Sequence, residues 1–305
     1  MMVKKNSKEW NIDTSRGKIA MVSWGSSSMP PVLMVHGYVD TAATFILLAE
    51  HLSETYYYVA FDMPGHGKSD PLPPGPLVGL VYMVEVIRSI VEHMGWSNFV
   101  YLGHSMAIAI GWIYNAVYPG CISRMISLDP GPPLTPYYEV NYEPHAWYNK
   151  RYNFYYENYG KSSSNPKLYK YKNIVEMLAK NRQLTYEQAE VVLSRSIVEG
   201  RDGLYILTWE PRTKSITTLS LSEDILKHIL FKNTPPTLII ISSINDSSSE
   251  KGKIFASRIM EGYHRLENCS IVTIEGHHDV HITRPEKMAG IINEFLTIAS
   301  CKSKL

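Results

Sequence analysis

A serine at residue 105 lies where an apolar run gives way to an amphipathic one. The stretch YLGHSMAIAIGW spans residues 101–112 and predicts a strand that turns sharply into a helix at Ser105. A serine hydroxyl on such a turn attacks carbonyl carbon atoms when a neighbouring base accepts its proton. Ala107 takes the second glycine position of the Gly-x-Ser-x-Gly pattern and is followed by Ile108. We expect the added methyl group to cost about 1 to 3 kcal/mol at most, and we favour a working nucleophile over a relic.

A histidine-rich stretch near the end of the chain offers the base for this serine. The stretch EGHHDVHITRPE (275–286) follows the last predicted strand and contains three histidines. Its spacing favours His278 as the base, whereas His277 is expected to face elsewhere. Two alternatives stay open, because histidine is the commonest transition-metal ligand and a histidine on a loop can simply be packed or exposed.

An aspartate that accepts the Nδ1–H of the histidine would fix its tautomer and stabilise the imidazolium. Asp246 follows the strand predicted at 235–243 and is our first choice. Asp129 ends the strand predicted at 123–130 and is the second candidate. Asp246 could instead belong to an ordinary Asn-Asp turn.

A developing oxyanion needs hydrogen-bond donors that are already in place. The residues His36, Gly37 and Tyr38 follow the first predicted strand of the alternating pattern. The backbone amides of Tyr38 and Met106 are the two donors that this arrangement would supply. The glycines of the nearby stretch FDMPGHGKSD (61–70) predict a tight structural loop, with Asp62 and His66 satisfied locally.

Apolar runs alternate with stretches of helical spacing, which predicts an α/β fold with a mostly parallel sheet. Because ligands bind outside the carboxyl ends of such strands, the polar residues that follow each run should converge. Four stretches are predicted to be strands that run into loops, at 30–37, 57–67, 98–105 and 123–130, and two more buried strands are predicted at 235–243 and 269–276. The predicted helices are 41–54, 78–96, 105–120 and 285–300.

Residues 131–230 interrupt this alternation. Twelve of the 21 tyrosines fall there, and the longest helical stretch has a capping box at Thr185 and Gln188. We predict a core of residues 1–130 and 231–305 with a helical, tyrosine-rich cap at 131–230. The tyrosines could line a binding site or merely pack the cap.

Composition narrows the classes of partner. The formal net charge is +1, which points away from nucleic acid and anionic membranes and favours a small-molecule partner. Three widely spaced cysteines form neither a disulfide framework nor a metal-ligand cluster. We expect no secretory signal and no membrane span.

The last three residues carry a separate signal. Ser303-Lys304-Leu305 matches the address read by the peroxisomal import receptor. We therefore expect peroxisomal import, with a cytoplasmic protein as the alternative.

Four motifs in chain order resemble those of the α/β-hydrolase superfamily: HGYVD, FDMPGHGKSD, GHSM and GHHDVH. Within it, the chain resembles the serine hydrolase-like (kraken-type) proteins, some of which are associated with peroxisomes. The resemblance implies an α/β-hydrolase fold with a helical cap inserted before the last two strands. It also implies these roles: Ser105 as nucleophile, Asp246 as acid, His278 as base, and Tyr38 with Met106 as the oxyanion hole. The chain departs from the usual pattern at Ala107, Ile108 and Ser243.

The expected activity is hydrolysis of a small-molecule ester, thioester or lactone. Ser105 would attack the acyl carbon with His278 as base, and water would then release the acid. This chemistry requires neither a metal nor an organic cofactor. One alternative is a lyase or isomerase that uses the same triad, since a fold does not fix a reaction. The other is a catalytically silent ligand-binding protein, which Ala107 and Ile108 favour.

Overall fold

The computed structural model describes residues 6–73, 75, 77–130, 144–157, 166–215, 222–244 and 250–302. Two sets of predicted residues lie outside them, Asp246 and the terminal Ser303-Lys304-Leu305. The roles assigned to both stay predictions.

An eight-stranded sheet forms the centre of the molecule, in the order β1-β2-β4-β3-β5-β6-β9-β10. The strands of the described residues are β1 Ser7–Thr14, β2 Gly17–Trp24, β3 Pro31–Val35, β4 Tyr57–Phe61, β5 Phe99–His104, β6 Ile122–Leu128, β7 Ile197–Glu199, β8 Tyr205–Leu207, β9 Thr237–Ser242 and β10 Cys269–Ile274. β2 is antiparallel to both β1 and β4, and the other neighbours in the sheet are parallel. The predicted mostly parallel sheet is confirmed.

Helices flank the sheet and fill the connections between strands. Those of the described residues are α1 Ile46–Ala49, α2 Leu80–His93, α3 Met106–Val117, α4 Pro144–Tyr148, α5 Phe154–Glu157, α6 Tyr171–Arg182, α7 Tyr186–Leu193, α8 Glu223–Phe231, α9 Glu250–His264, α10 Val280–Thr283 and α11 Pro285–Lys302. Shorter turns of other helical types include a 3₁₀ turn at Ala42–Phe45 and a π-helical turn at Asn149–Asn153. The predicted first helix is thus replaced by the 3₁₀ turn and the single turn of α1.

The core lies on both faces of the sheet. In β3, Leu33 and Val35 join one apolar cluster with α2, α3 and α8, while Val32 and Met34 join the other with α1 and α11. Burial on both faces explains why the parallel strands are continuous apolar runs. It also leaves only the strand ends free for polar side chains, which gather at the carboxyl edge.

The segment between residues 130 and 222, which we call the insertion, joins β6 to α8. Its described parts contain α4 to α7 and an antiparallel hairpin of β7 and β8. The capping box predicted at Thr185 and Gln188 is formed at the start of α7. The insertion has its own apolar cluster, to which Ile282 of α10 also belongs. The predicted domain limits stay predictions.

Candidate active site

Ser105 lies on a strained turn between β5 and α3. Its backbone angles, φ 54° and ψ −120°, fall outside the regions that side chains with a Cβ atom normally adopt. Two backbone hydrogen bonds hold the turn, from the Ser105 amide to the Leu128 carbonyl at 3.0 Å and from the Ile108 amide to the Ser105 carbonyl at 3.0 Å. The serine remains 7% exposed, and its hydroxyl stands at the carboxyl edge of the sheet. This is the geometry of a nucleophile elbow.

The alanine at 107 fits this turn. Ala107 is fully buried in the first turn of α3 and has ordinary helical backbone angles, so it does not need glycine's conformational freedom. Its carbonyl accepts a hydrogen bond from the Tyr101 hydroxyl at 2.5 Å. Of the two glycine positions in the pattern, the first, Gly103, has no space for a side chain. A Cβ atom there would lie 2.8 Å from Cε1 of Tyr101 and 3.2 Å from the Ala107 carbonyl carbon.

His278 is oriented by an aspartate. Its Nδ1 donates a hydrogen bond of 2.6 Å to Oδ2 of Asp129, since an ionised carboxylate can only accept. Asp129 is 2% exposed and also accepts from the amide of Ser242 at 3.1 Å and from its hydroxyl at 2.8 Å. The bond to Asp129 leaves Nε2 of His278 as the proton acceptor. The aspartate that meets His278 in the described residues is therefore Asp129, our second candidate from the sequence.

His104 links the His278 loop to the elbow. This residue directly precedes Ser105, and its Nε2 donates to the His278 carbonyl at 3.2 Å. The ring of His104 lies 4.7 Å from that of His278 and 4.1 Å from that of His281, measured between centroids. Burial and the neighbouring histidines hold the pKa of His104 well below its usual value, so its ring stays neutral. Burial likewise lowers the pKa of His281 to about 3.

The chain that follows β3 passes directly against the elbow. A Cβ atom at Gly37 would lie 3.1 Å from Cβ of Ser105 and 3.1 Å from Nδ1 of His104. His36 holds this loop, because its Nδ1 donates to the Gly37 carbonyl at 2.9 Å and its Nε2 accepts from the Met63 amide at 2.9 Å. Tyr38 follows Gly37, and Met106 begins α3, where backbone amides have no partner within the helix. Both predicted oxyanion donors thus lie in segments that flank Ser105.

Two arginines of the insertion, the half-buried Arg182 and the buried Arg195, are part of the site's surroundings, and sequence reasoning missed them. Arg182 donates to both Asp40 and Asp279, which flank the loops just described. Arg195 donates to Asp62, which was expected to be satisfied only locally and which also accepts from the amides of Ala42 and Lys68. No local pattern distinguishes these arginines from exposed ones, because their partners lie far away in the chain.

Three residues near His278 are close enough together to be considered as metal ligands. Potential ligand atoms of His104, Asp279 and His281 all lie within 4.8 Å of one another. Both oxygens of Asp279 already accept hydrogen bonds from Arg182, so a cation would have to share this carboxylate with a buried guanidinium. His104 and Asp279 instead support the His278 loop through hydrogen bonds.

Several tyrosine rings of the insertion lie against one another. The rings of Tyr148 and Tyr152 stack with centroids 5.8 Å apart, and those of Tyr171 and Tyr205 lie 5.5 Å apart. The Tyr155 hydroxyl donates to the Gly75 carbonyl at 2.8 Å.

Among the described helices, none combines the length and the apolar composition needed to cross a lipid bilayer.

A strained serine after a central strand, a histidine on the loop after the last strand and a parallel sheet with this strand order define an α/β hydrolase. The family profile described as the alpha/beta hydrolase fold matches residues 30–285, and the chain belongs to this family. The chain is similar to "Serine hydrolase-like protein 2" of Homo sapiens, with 29% identity over 292 residues, covering 92% of this chain and 91% of that protein. It is also similar to the "Serine hydrolase-like protein" of Danio rerio, with 26% identity over 299 residues, covering 96% and 90% of the two chains.

Solved structures agree on the fold. The "Thioesterase Domain From Curacin Biosynthetic Pathway" superposes with a TM-score of 0.75 at 18% identity, covering 94% of this chain and 99% of that one. At this level of identity the likeness supports the fold alone. The resemblance predicted from the four motifs is confirmed by the family profile and the named relatives.

Proposed function

We propose that this protein is a serine hydrolase that cleaves a small-molecule ester, thioester or lactone through an acyl-enzyme on Ser105. The observation that carries the proposal is the 2.6 Å hydrogen bond between His278 and Asp129, on a loop tied to the residue before a strained serine. In this reading Asp129, rather than Asp246, is the acid of the triad.

The first half of the reaction forms the acyl-enzyme. Nε2 of His278 accepts the hydroxyl proton of Ser105 as the oxygen attacks the acyl carbon. The resulting oxyanion accepts hydrogen bonds from the amides of Tyr38 and Met106. The imidazolium, stabilised by Asp129, then gives its proton to the leaving alcohol or thiol.

The second half releases the acid. Water gives a proton to Nε2 of His278 and attacks the acyl carbon, and the tetrahedral intermediate collapses with return of the proton to Ser105. The residues of the chain supply the nucleophile, the base and the oxyanion donors, and water is the second substrate. The insertion would act as a cap that decides which acyl groups reach the serine.

Covalent labelling by a fluorophosphonate tests this proposal, because the probe reacts far faster with an activated serine than with an ordinary one. We expect intact-mass analysis to show one adduct on the wild-type protein and none on Ser105→Ala. His278→Ala should react orders of magnitude more slowly, since the serine loses its base.

His277→Ala is the matched control, as this neighbouring histidine faces Gln183 of the insertion rather than Asp129. It should label like the wild type. A folded wild-type protein that reacts with neither the fluorophosphonate nor the smaller phenylmethanesulfonyl fluoride would overturn the proposal. That result would favour a silent ligand-binding protein.

A further inference from the structure

Arg182 is the last residue of α6 and reaches from the insertion to the carboxyl edge of the sheet. Its Nε donates to Oδ2 of Asp279 at 2.9 Å, and its Nη2 donates to Oδ1 of Asp279 at 2.5 Å and to Oδ2 of Asp40 at 3.0 Å. Only 18% of the arginine side chain is exposed, against 4% and 10% for its partners Asp40 and Asp279. One guanidinium thus spans two nearly buried carboxylates.

The two carboxylates belong to the two loops that flank the elbow. Asp279 directly follows His278, and Asp40 lies two residues after Tyr38. Asp40 is itself fixed, because its Oδ1 accepts the Thr41 amide at 2.9 Å. Through Arg182, the loop of the base is therefore tied to the loop that would supply an oxyanion donor.

Further contacts show that the insertion covers this base loop from one side. Nε2 of Gln188 in α7 donates to the Ile282 carbonyl at 3.2 Å, and the Ile282 side chain is fully buried in the apolar cluster of the insertion. Gln183, the residue after α6, lies 3.4 Å from Nδ1 of His277. Arg182 adds a charged side chain to this contact between the insertion and the base loop.

The charges of the cluster require the arginine. Burial favours the neutral form of both carboxyl groups, but the charge and hydrogen bonds of Arg182 hold the pKa of Asp279 and of Asp40 below their usual values. Both carboxylates are therefore ionised at neutral pH. Without Arg182 they would be two buried like charges, which disfavours the present arrangement of the loops.

We propose that Arg182 is a positioning residue for the hydrolytic site. By bonding to Asp279 and Asp40, it holds the loop of His278 and the loop of Tyr38 in their positions next to Ser105. The inference rests on the proposed serine hydrolase function. It gives the insertion a role in assembling the site, in addition to any role in admitting substrate.

The first test measures the rate of fluorophosphonate labelling in Arg182→Ala and Arg182→Lys, with the melting temperature of each variant. A displacement of about 1 Å at a reacting group lowers rates on the order of 100-fold, which we expect for Arg182→Ala. Arg182→Lys keeps the charge but cannot bridge both carboxylates, so it should be intermediate. Added guanidinium ion at millimolar concentration should restore part of the rate of Arg182→Ala.

Arg212→Lys is the matched control. Arg212 is 21% exposed and also joins the insertion to the core, by donating to the Pro73 and Leu72 carbonyls at 2.8 Å each, away from His278. It should label at the wild-type rate even if its melting temperature falls. Wild-type labelling rates in folded Arg182 variants would overturn the inference and leave the proposed function intact.

A second readout does not depend on activity. The proton that His278 Nδ1 donates to Asp129 should give a far-downfield NMR signal in the wild type. We expect this signal to shift in Arg182→Lys and to disappear in Arg182→Ala, but to persist in Arg212→Lys. If wild-type Ser105 does not label, the proposed function fails, and this signal alone decides whether Arg182 positions the base. An unchanged signal in the Arg182 variants would refute that role.

Discussion

Asp129 has a geometry that suits the acid of a triad. It directly follows β6 with a left-handed backbone (φ 52°), and three hydrogen bonds fix its carboxylate, of which the one to His278 is the shortest. The other two come from Ser242, at the end of the neighbouring strand β9. The carboxylate is therefore held by the sheet rather than by a loop, which fixes the ring it contacts.

Replacing Asp129 by asparagine tests this assignment at the scale of one residue. The amide nitrogen of asparagine would favour the wrong tautomer of His278, so we expect kcat/KM and the labelling rate to fall by a factor of about 10⁴. The fold should survive, because asparagine has the same shape and can still bond to Ser242.

Asp246→Asn is the comparison, since Asp246 was our first choice from the sequence. If Asp129 is the acid, Asp246→Asn should react at nearly the wild-type rate. The opposite pattern, with Asp129→Asn active and Asp246→Asn inactive, would return the role to Asp246.

The sequence predicted the positions of Ser105 and His278 because each follows an apolar run and has a local pattern of small and turn-forming residues. It favoured Asp246 over Asp129, but both follow predicted strands and the choice between them depends on which strands are neighbours in the sheet. β6 lies beside β5, the strand that leads into Ser105, which brings Asp129 close to the elbow. Strand order is a property of the whole sheet and leaves no mark on the sequence near either residue.

At the scale of elements, the pairing of β3 with β5 brings the segments after these two strands close together. Gly37 lies just after β3 and Ser105 just after β5, and these strands are hydrogen-bonded neighbours in the sheet. The loop after β3 therefore lies against the elbow, with space for no side chain at Gly37. The separation of Ser105 from the amide of Tyr38 depends on that missing side chain.

Gly37→Ala tests this packing. A methyl group 3.1 Å from Cβ of Ser105 should push the loop away from the elbow, with a loss of stability of about 1 to 3 kcal/mol. If the Tyr38 amide is an oxyanion donor, the rate should fall by about 100- to 1,000-fold. Urea unfolding and kcat, measured on the same preparation, separate the two effects.

The control for Gly37→Ala is Gly120→Ala, at a loop where a Cβ atom would contact nothing within 4 Å. Because Gly120 has a left-handed backbone, with φ 86°, this change also costs stability, but at a distance from the elbow. A similar rate in both variants would show that the loop after β3 contributes no donor.

The six parallel strands were predicted near their observed positions because continuous apolar runs indicate strands buried on both faces. The edge hairpin of β1 and β2 was missed. In β1 only Ile12 is buried and the other residues are exposed or half-buried, so its apolar signal is weak. Its stability comes from pairing with β2, whose last six residues are all buried, and such pairing is not local information.

At the scale of the whole molecule, the insertion is joined to the core by buried charge. Arg195 is 2% exposed and bonds to Asp62, which is fully buried, and Arg182 bonds to Asp40 and Asp279. Breaking one such pair leaves an uncompensated buried charge, which typically costs about 3 to 5 kcal/mol. The insertion is therefore expected to unfold together with the core rather than before it.

Buried neutral histidines make the stability of the whole molecule depend on pH. Burial lowers the pKa of His66 and of His281 to about 3, and it also lowers the pKa of His36 and His104. In the unfolded chain these groups take up protons near pH 6.5, whereas in the folded protein they do not. For His66 and His281 this contribution to stability is complete above that pH and is lost as the pH falls toward about 3.

We expect the free energy of unfolding to fall between pH 6.5 and pH 4 by about 1.4 kcal/mol per pH unit for each of His66 and His281. The Asp279 carboxylate adds a loss only at lower pH, because its pKa is depressed by Arg182 against the effect of burial. His66→Gln removes one of the buried imidazoles outside the site, so the slope should decrease by one histidine's share. His93→Gln, at an exposed position of α2, controls for the loss of an imidazole as such. Equal slopes in the wild type and His66→Gln, by urea unfolding across this pH range, would mean that His66 binds its proton in the folded state too.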